Sequence, residues 1–262
     1  MFIIGELING MYKDIGKAIQ TKDKSIIQNK ALEQIKAGAD ALDVNCGPAS
    51  KDPINDIQWL VNTIQEVTDK PLSIDSSRTQ VIESGLKVIK NKAIINSVTA
   101  DQEKLDILIP LALKYNAQLI GLTISKKGIP QNKDQRLELA AMIVASAQEK
   151  GFPVEDLYLD PIVMPVNVAQ SQMKDILESL REFKIISDPA PKTVVGLSNV
   201  SQGTCQRGLI NKTFMIMAVG YGLDGAILDP LDKDLMDGAI TSDLILNKHI
   251  YCDSYLDAYR KK

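Results

Sequence analysis

Eight short apolar runs punctuate the chain, and each stops at or encloses a polar residue. They are Phe2 to Gly5 before Glu6, Ala41-Leu42 and Val44 around Asp43 and Asn45, and Leu72 to Ile74 before Asp75. Ala93 to Ile95 precedes Asn96, Leu119 to Leu122 precedes Thr123, and Leu157 to Leu159 precedes Asp160. Val194 to Leu197 leads into Ser198 and Asn199, and Ala226 to Leu228 leads into Asp229. Continuous apolar stretches of this length fit parallel strands buried on both faces. Helical periodicity fills the gaps: Ser25 to Ala37 with Gly38 as a C-terminal stop, Asp56 to Val67, Thr79 to Lys90, Asp101 to Tyr115, Arg136 to Lys150, Gln172 to Phe183 and Lys212 to Gly220. Pro110 inside the fourth of these predicts a kink or an early end. Leu235 to Asn247 and Ile250 to Tyr259 supply two closing helices.

Alternating strands and helices predict an α/β protein, a (β/α)8 TIM barrel formed as a single domain over residues 1–262. The length of 262 residues gives roughly 33 per strand, the size of one βαβ step. A doubly wound open sheet is the rival, but GELINGMYKDIG after the first run lacks the G-x-G-x-x-G phosphate turn of that fold. The longest irregular segments, Gly47 to Asn55, Ser125 to Asp134 and Pro161 to Gln170, each follow a strand, where barrels carry their functional loops.

Composition removes several function classes. Thirty basic residues against 33 acidic give a net charge of −3, without the basic footprint of a nucleic-acid protein. No apolar run reaches about 18 residues, so no membrane span is expected. Cys46, Cys205 and Cys252 are scattered, and the start MFIIGELING does not read as a signal peptide; both fit a cytoplasmic setting. With one histidine, His249, and no C-x-x-C, neither a zinc site nor a Ser-His-Asp machine is expected, and the metal prediction is none.

The polar ring therefore carries the chemistry: Glu6, Asp43, Asn45, Asp75, Asn96, Asp160, Ser198, Asn199 and Asp229. Asp and Asn also end strands by capping the next helix, a sufficient account of any one position but a strained one for the whole set. Carboxylates and amides around one mouth suit a flat heterocycle rich in amino and lactam N–H groups, such as a pterin or purine. The loop VVGLSNVSQGTCQRG adds Gly196, which lets backbone approach a flat ligand, together with the donors Gln202 and Arg207. Lys126, Lys127 and Lys133 read as solvated.

The runs ALDVNCGPA, LSIDSSR, AIINS, LYLDP and VVGLSNVSQ resemble the pterin-binding barrel family, which includes dihydropteroate synthase and the folate-dependent corrinoid methyltransferases. GLSNVSQ, DPAPKT, the INGM start and the YCDS ending resemble the methyltetrahydrofolate:corrinoid/iron–sulfur protein methyltransferases of the acetyl-CoA pathway in particular. The synthases carry an Arg-Lys pair after the seventh strand, which Gly196-Leu197-Ser198-Asn199-Val200 lacks. The resemblance implies that methyltetrahydrofolate is a substrate, and that Asp75, Asn96 and Asp160 hold its pterin edge. It also implies that Asn199 is catalytic beside N5, with Gln202 and Arg207 nearby, and that Glu6, Asp43, Gly196 and Ser198 complete the site. The acceptor would be a corrinoid (cobalamin) carried by a corrinoid/iron–sulfur protein, and the enzyme a homodimer. Pterin–aminobenzoate condensation and non-catalytic folate binding are the alternatives.

Overall fold

In the computed structural model, residues 1–48 and 50–260 are described; Ala49, within the expected loop Gly47 to Asn55, and Lys261 and Lys262 lie outside the described residues. The strands are β1 (Phe2–Asn9), β2 (Ala41–Asn45), β3 (Leu72–Asp75), β4 (Ala93–Thr99), β5 (Gln118–Leu122), β6 (Leu157–Asp160), β7 (Lys192–Gly196) and β8 (Gly225–Leu228). Each pairs in parallel with the next, and β8 pairs with β1, so the sheet closes. The fold is the (β/α)8 barrel that the apolar runs predict.

Helices cover the outside. They are α1 (Lys13–Thr21), α2 (Lys24–Lys36), α3 (Pro53–Gln65), α4 (Thr79–Val88), α5 (Gln102–Lys114) and α6 (Lys133–Glu149). Then come α7 (Val166–Ala169), α8 (Met173–Phe183), α9 (Arg207–Gly220), α10 (Lys233–Ile245) and α11 (Tyr255–Tyr259).

Because strand side chains alternate between faces, each strand divides its residues between two cores. The outward set, including Leu42, Val44, Ile74, Ile95, Leu119, Leu159, Val195 and Leu228, packs against the helices. The inward set forms a separate plug of Ile4, Ala41, Ile94, Ile120, Tyr158 and Val194, with Phe2, Leu122 and Ile227 against it. Two residues further along the same inward face come Glu6 after Ile4, Asp43 and Asn45 after Ala41, Asn96 after Ile94, and Asp160 after Tyr158. Gly196 follows Val194 in the same way, and Asp229 follows Ile227. The barrel thus has an apolar floor and a polar mouth. On β5 the inward position is Leu122, which interrupts the polar ring; Thr123 is buried, and its hydroxyl donates to the Asp160 carbonyl at 2.9 Å.

The differences from the sequence reading have local causes. β1 runs past Glu6 to Asn9, and β4 past Asn96 to Thr99, because register shifts at Gly5/Ile8 and Asn96/Val98 let pairing resume beyond the polar residue. The helix α1 goes unpredicted, although Ile15, Ala18 and Ile19 form its buried stripe. α5 continues through Pro110: the proline and Asp106, whose carbonyl loses its partner, both face solvent, while Leu108, Ile109 and Ala112 hold the inner face. α9 begins at Arg207 rather than Lys212, and only Tyr255–Tyr259 of the last expected helix is helical. α2 ends as expected, with Gly38 at φ 106.

The loops after β1 and β2 touch backbone to backbone. Gly10 N–H donates to the Asn45 carbonyl at 2.9 Å, and a Cβ on Gly10 would lie 2.2 Å from the Cys46 carbonyl oxygen. Gly10→Ala is expected to destabilise the fold by about 1–3 kcal/mol, the usual penalty of forced overpacking, as read by chemical denaturation.

Candidate functional site

The polar mouth is held by hydrogen bonds that fix the direction of each group. On the β2–β4 side, Asp43 and Ser73 are register partners, as are Asp75 and Asn96. Asp43 Oδ1 accepts from Ser73 Oγ at 2.6 Å and from Asn96 Nδ2 at 3.0 Å. Asn96 therefore spends an amide N–H inward and keeps its carbonyl oxygen without a protein partner among the described residues. Asn45 Oδ1 accepts the Gly47 N–H at 2.7 Å, which turns Nδ2 to donate to Asp75 Oδ2 at 2.7 Å. The other oxygen of Asp75 accepts no hydrogen bond among the described residues.

Burial pushes the Asp43 carboxyl up to about 8, helped by the charge of Asp75 and opposed by its two donors. Burial also raises Asp75, against the pull of the Asn45 N–H. Around neutral pH this pair holds a proton.

On the β6–β7 side, Asp160 is buried and Oδ1 accepts the Ile162 N–H at 2.7 Å. Burial raises its pKa to about 6, with the backbone N–H groups of Ile162 and Gly196 pulling the other way. Asn199 lies in a 3-10 turn, Leu197–Ser201, with its side chain exposed. A Cβ on Gly196 would sit 3.0 Å from Asn199 Nδ2, so the missing side chain is what lets the amide lie over the inward face of β7.

Between β7 and β1, Ser198 Oγ donates to Glu6 Oε1 at 2.6 Å. Arg207 Nε donates to Ser201 Oγ at 3.1 Å, and an Nη donates to the Ser198 carbonyl at 3.3 Å. Burial raises the Glu6 pKa; the Ser198 bond and the Arg207 charge oppose this, and Asp229 adds to it. Asp229 Oδ1 accepts the Leu231 N–H at 2.8 Å, a local turn contact. Tyr12 shares this corner, its pKa raised by burial and by Glu6 and Asp229.

The structure therefore brings Glu6, Asp43, Asp75, Asn96, Asp160, Gly196, Ser198, Asn199 and Arg207 to one mouth. Gln202 stands at the rim, exposed, joined to the group through its backbone N–H, which donates to the Asn199 carbonyl at 3.2 Å. Lys126 and Lys133 form surface pairs with Glu103 and Glu178. Sequence reasoning missed Ser73 and Tyr12. Ser73 was open to discovery, standing two residues before Asp75 on an inward face; Tyr12 sits in a loop with no periodic signal. Among the described residues, no three His, Cys, Asp or Glu side chains are arranged to hold a metal ion, and no helix is long and apolar enough to cross a membrane. His249 stacks on Tyr259 at 4.3 Å, away from the mouth.

Comparison with known proteins gives a consistent set of relatives. The family described as pterin binding enzyme matches residues 14–229. A methylcorrinoid:tetrahydrofolate methyltransferase from Eubacterium limosum is 31% identical over all of this chain and 97% of its own. Methionine synthase from Mycobacterium tuberculosis is 24% identical over 87% of the chain, which spans only 20% of that longer protein. Among solved structures, dihydropteroate synthase from Clostridium difficile, determined with pteroic acid, superimposes with a TM-score of 0.67 at 18% identity, covering 94% of this chain and 96% of that one. At that identity the likeness speaks for the fold alone.

Asp43 gives a measurable pH dependence. Its folded pKa lies above the unfolded value of about 3.9, so the stability it contributes is complete below pH ~4 and is lost as pH rises through about 8. Asp43→Asn should flatten that fall: the melting temperature of the variant, set against the native protein, improves from pH 5 to pH 9. Parallel melting curves across that range would refute the assignment.

Proposed function

The chain belongs to the pterin-binding enzyme family, and from that premise we propose that it is a methyltransferase moving the N5 methyl group of methyltetrahydrofolate to the Co(I) corrinoid of a partner protein. The observation that carries this reading is the row of acceptors that Asp75, Asn96 and Asp160 turn into the mouth, beside an exposed amide, Asn199. A reduced pterin offers the matching edge of ring N–H and 2-amino groups, and an ionised carboxylate accepts two such donors at once. Gly196, Ser198, Glu6 and Asp43 frame the ring; Gln202 and Arg207 line its outer side.

The difficulty of the reaction lies in the leaving group. Breaking the N5–methyl bond leaves electron density on a ring nitrogen, so the nitrogen must gain a proton or a hydrogen bond as the bond breaks. Asn199 cannot ionise near neutral pH, but its Nδ2 can donate to N5, and that bond strengthens as charge moves. The corrinoid, when its partner is docked, supplies the Co(I) nucleophile that takes the methyl group. The relative from Eubacterium limosum is named for transfer in the opposite sense. One pair of bonds is made and broken in either direction, so the same residues serve both.

The finer reading follows the sequence resemblance: a corrinoid/iron–sulfur protein as partner, a place in the acetyl-CoA pathway, and a cytoplasmic homodimer whose residues 1–262 make one pterin-binding domain. The three free cysteines support a reducing compartment.

Stopped-flow absorbance of Co(I) cobalamin mixed with methyltetrahydrofolate and enzyme tests the proposal. Formation of methylcobalamin is expected. Tight folate binding without it would leave a carrier, and pterin–aminobenzoate condensation would make the protein a synthase. Asn199→Ala should lower kcat by about 100-fold, as loss of one transition-state donor does, while the folate Kd moves by less than about threefold. Equal losses in both would contradict the transition-state role. Folate affinity should also fall as pH drops through about 6, where Asp160 takes up a proton, and Asp160→Asn should abolish that dependence in calorimetric titrations.

A further inference from the structure

Behind the mouth, the chain buries an entire guanidinium. Arg136, in the first turn of α6, has no exposed surface. Among the described residues no carboxylate lies within ion-pair distance of it. Its Nε donates to the Pro161 carbonyl at 2.8 Å, and one Nη donates to Gln172 Oε1 at 2.9 Å. Gln172 Nε2 in turn donates to Gln131 Oε1 at 3.1 Å, while the other Nη of Arg136 has no hydrogen-bond partner among the described residues. Burial pulls the guanidinium pKa down and the charge of Asp175, beyond ion-pair distance, only partly opposes it; an apolar side chain of equal volume would fill the space without that penalty.

What the guanidinium grips explains its presence. The Pro161 carbonyl and the Ile162 N–H are the two ends of one peptide group. Arg136 holds the carbonyl end, and the Asp160 carboxylate holds the N–H end at 2.7 Å. A cation on the carbonyl polarises the amide and strengthens its N–H as a donor. The same peptide leads into Ile162 at φ 64, a left-handed conformation that a β-branched residue strongly resists. Without the guanidinium, rotation of this peptide would relieve the strain and remove one of the two backbone donors of Asp160, leaving only the Gly196 N–H.

We propose that Arg136 is a positioning residue for Asp160, holding the Pro161–Ile162 peptide so that one carboxylate oxygen is occupied from behind and the carboxylate keeps a fixed face toward the ligand. The inference rests on the reading that Asp160 contacts the pterin. The backbone bond also opposes the rise in the Asp160 pKa, which stands at about 6, so its loss has a signature that a merely loosened fold does not.

The test is the affinity for methyltetrahydrofolate between pH 5 and 8, measured by calorimetry on the full chain, with kcat measured alongside. Arg136→Met should weaken binding about tenfold, the effect of losing a hydrogen bond to a charged group, and move the acid limb upward, while kcat at saturating folate stays within about threefold. Arg136→Lys should fall between the native protein and Arg136→Met, because an ammonium can reach one of the two acceptors but cannot fork between them. Native affinity and an unmoved limb in Arg136→Met, with Asp160→Asn impaired, would overturn the inference. If Asp160→Asn itself binds normally, the failure belongs to the site reading. Should Arg136→Met not fold, Arg136→Lys decides: a raised limb supports the role, and an unmoved one refutes it.

Discussion

A carboxylate taken out of water must find donors, and the mouth of this barrel is arranged around that demand. Asp43, Asp75, Asp160 and Glu6 stand at the ends of inward-facing strand positions, where the sheet removes water from behind them. Each is met by a donor: Ser73 and Asn96 for Asp43, Asn45 for Asp75, the N–H of Ile162 in the loop just after its own strand for Asp160, and Ser198 for Glu6. Those donors do more than lower the cost of burial. Each occupies one side of its acceptor and thereby decides which side is left for a ligand.

The same economy runs through the amides. An asparagine can present either end of its amide, and left free it would read a ligand poorly. Asn45 is turned by the Gly47 N–H and Asn96 by Asp43, so both present a definite end. Asn199 is the exception: among the described residues its side chain has no such tether, and it lies exposed over Gly196. On the proposed reading, the tethered groups hold the ring and Asn199 donates as charge develops. Behind this first ring the guanidinium of Arg136 stiffens the peptide that serves Asp160.

Much of this was readable in the residue order. The eight runs ending at Glu6, Asn45, Asp75, Asn96, Thr123, Asp160, Ser198 and Asp229 are the eight strands, because parallel barrel strands must be apolar on both faces until they emerge. Period-two alternation then carried Asp43, Asp160 and Asn96 to the inside without further information. The misses were of two kinds. α1 has a clear Ile15-Ala18-Ile19 stripe that went unused, and Pro110 proved harmless because the carbonyl it deprives faces solvent. Thr123 looked like its seven counterparts, yet its hydroxyl turns to the Asp160 carbonyl, and Leu122 takes the inward place instead.

The chain alone determined that strands buried on both faces alternate with helices and end in a polar crown, and the missing G-x-G-x-x-G turn favoured a closed sheet over an open one. It also named most side chains of the crown, though not Ser73 or Tyr12. Which oxygen each presents, how far burial lifts each acid, and that Arg136 reaches across to a strained peptide were decided only by the folded arrangement. Those properties depend on distances of about 3 Å between residues such as Asp43 and Asn96, or Arg136 and Pro161. Hydrogen bonds act at that range alone, and the spacing of residues along a chain does not encode it.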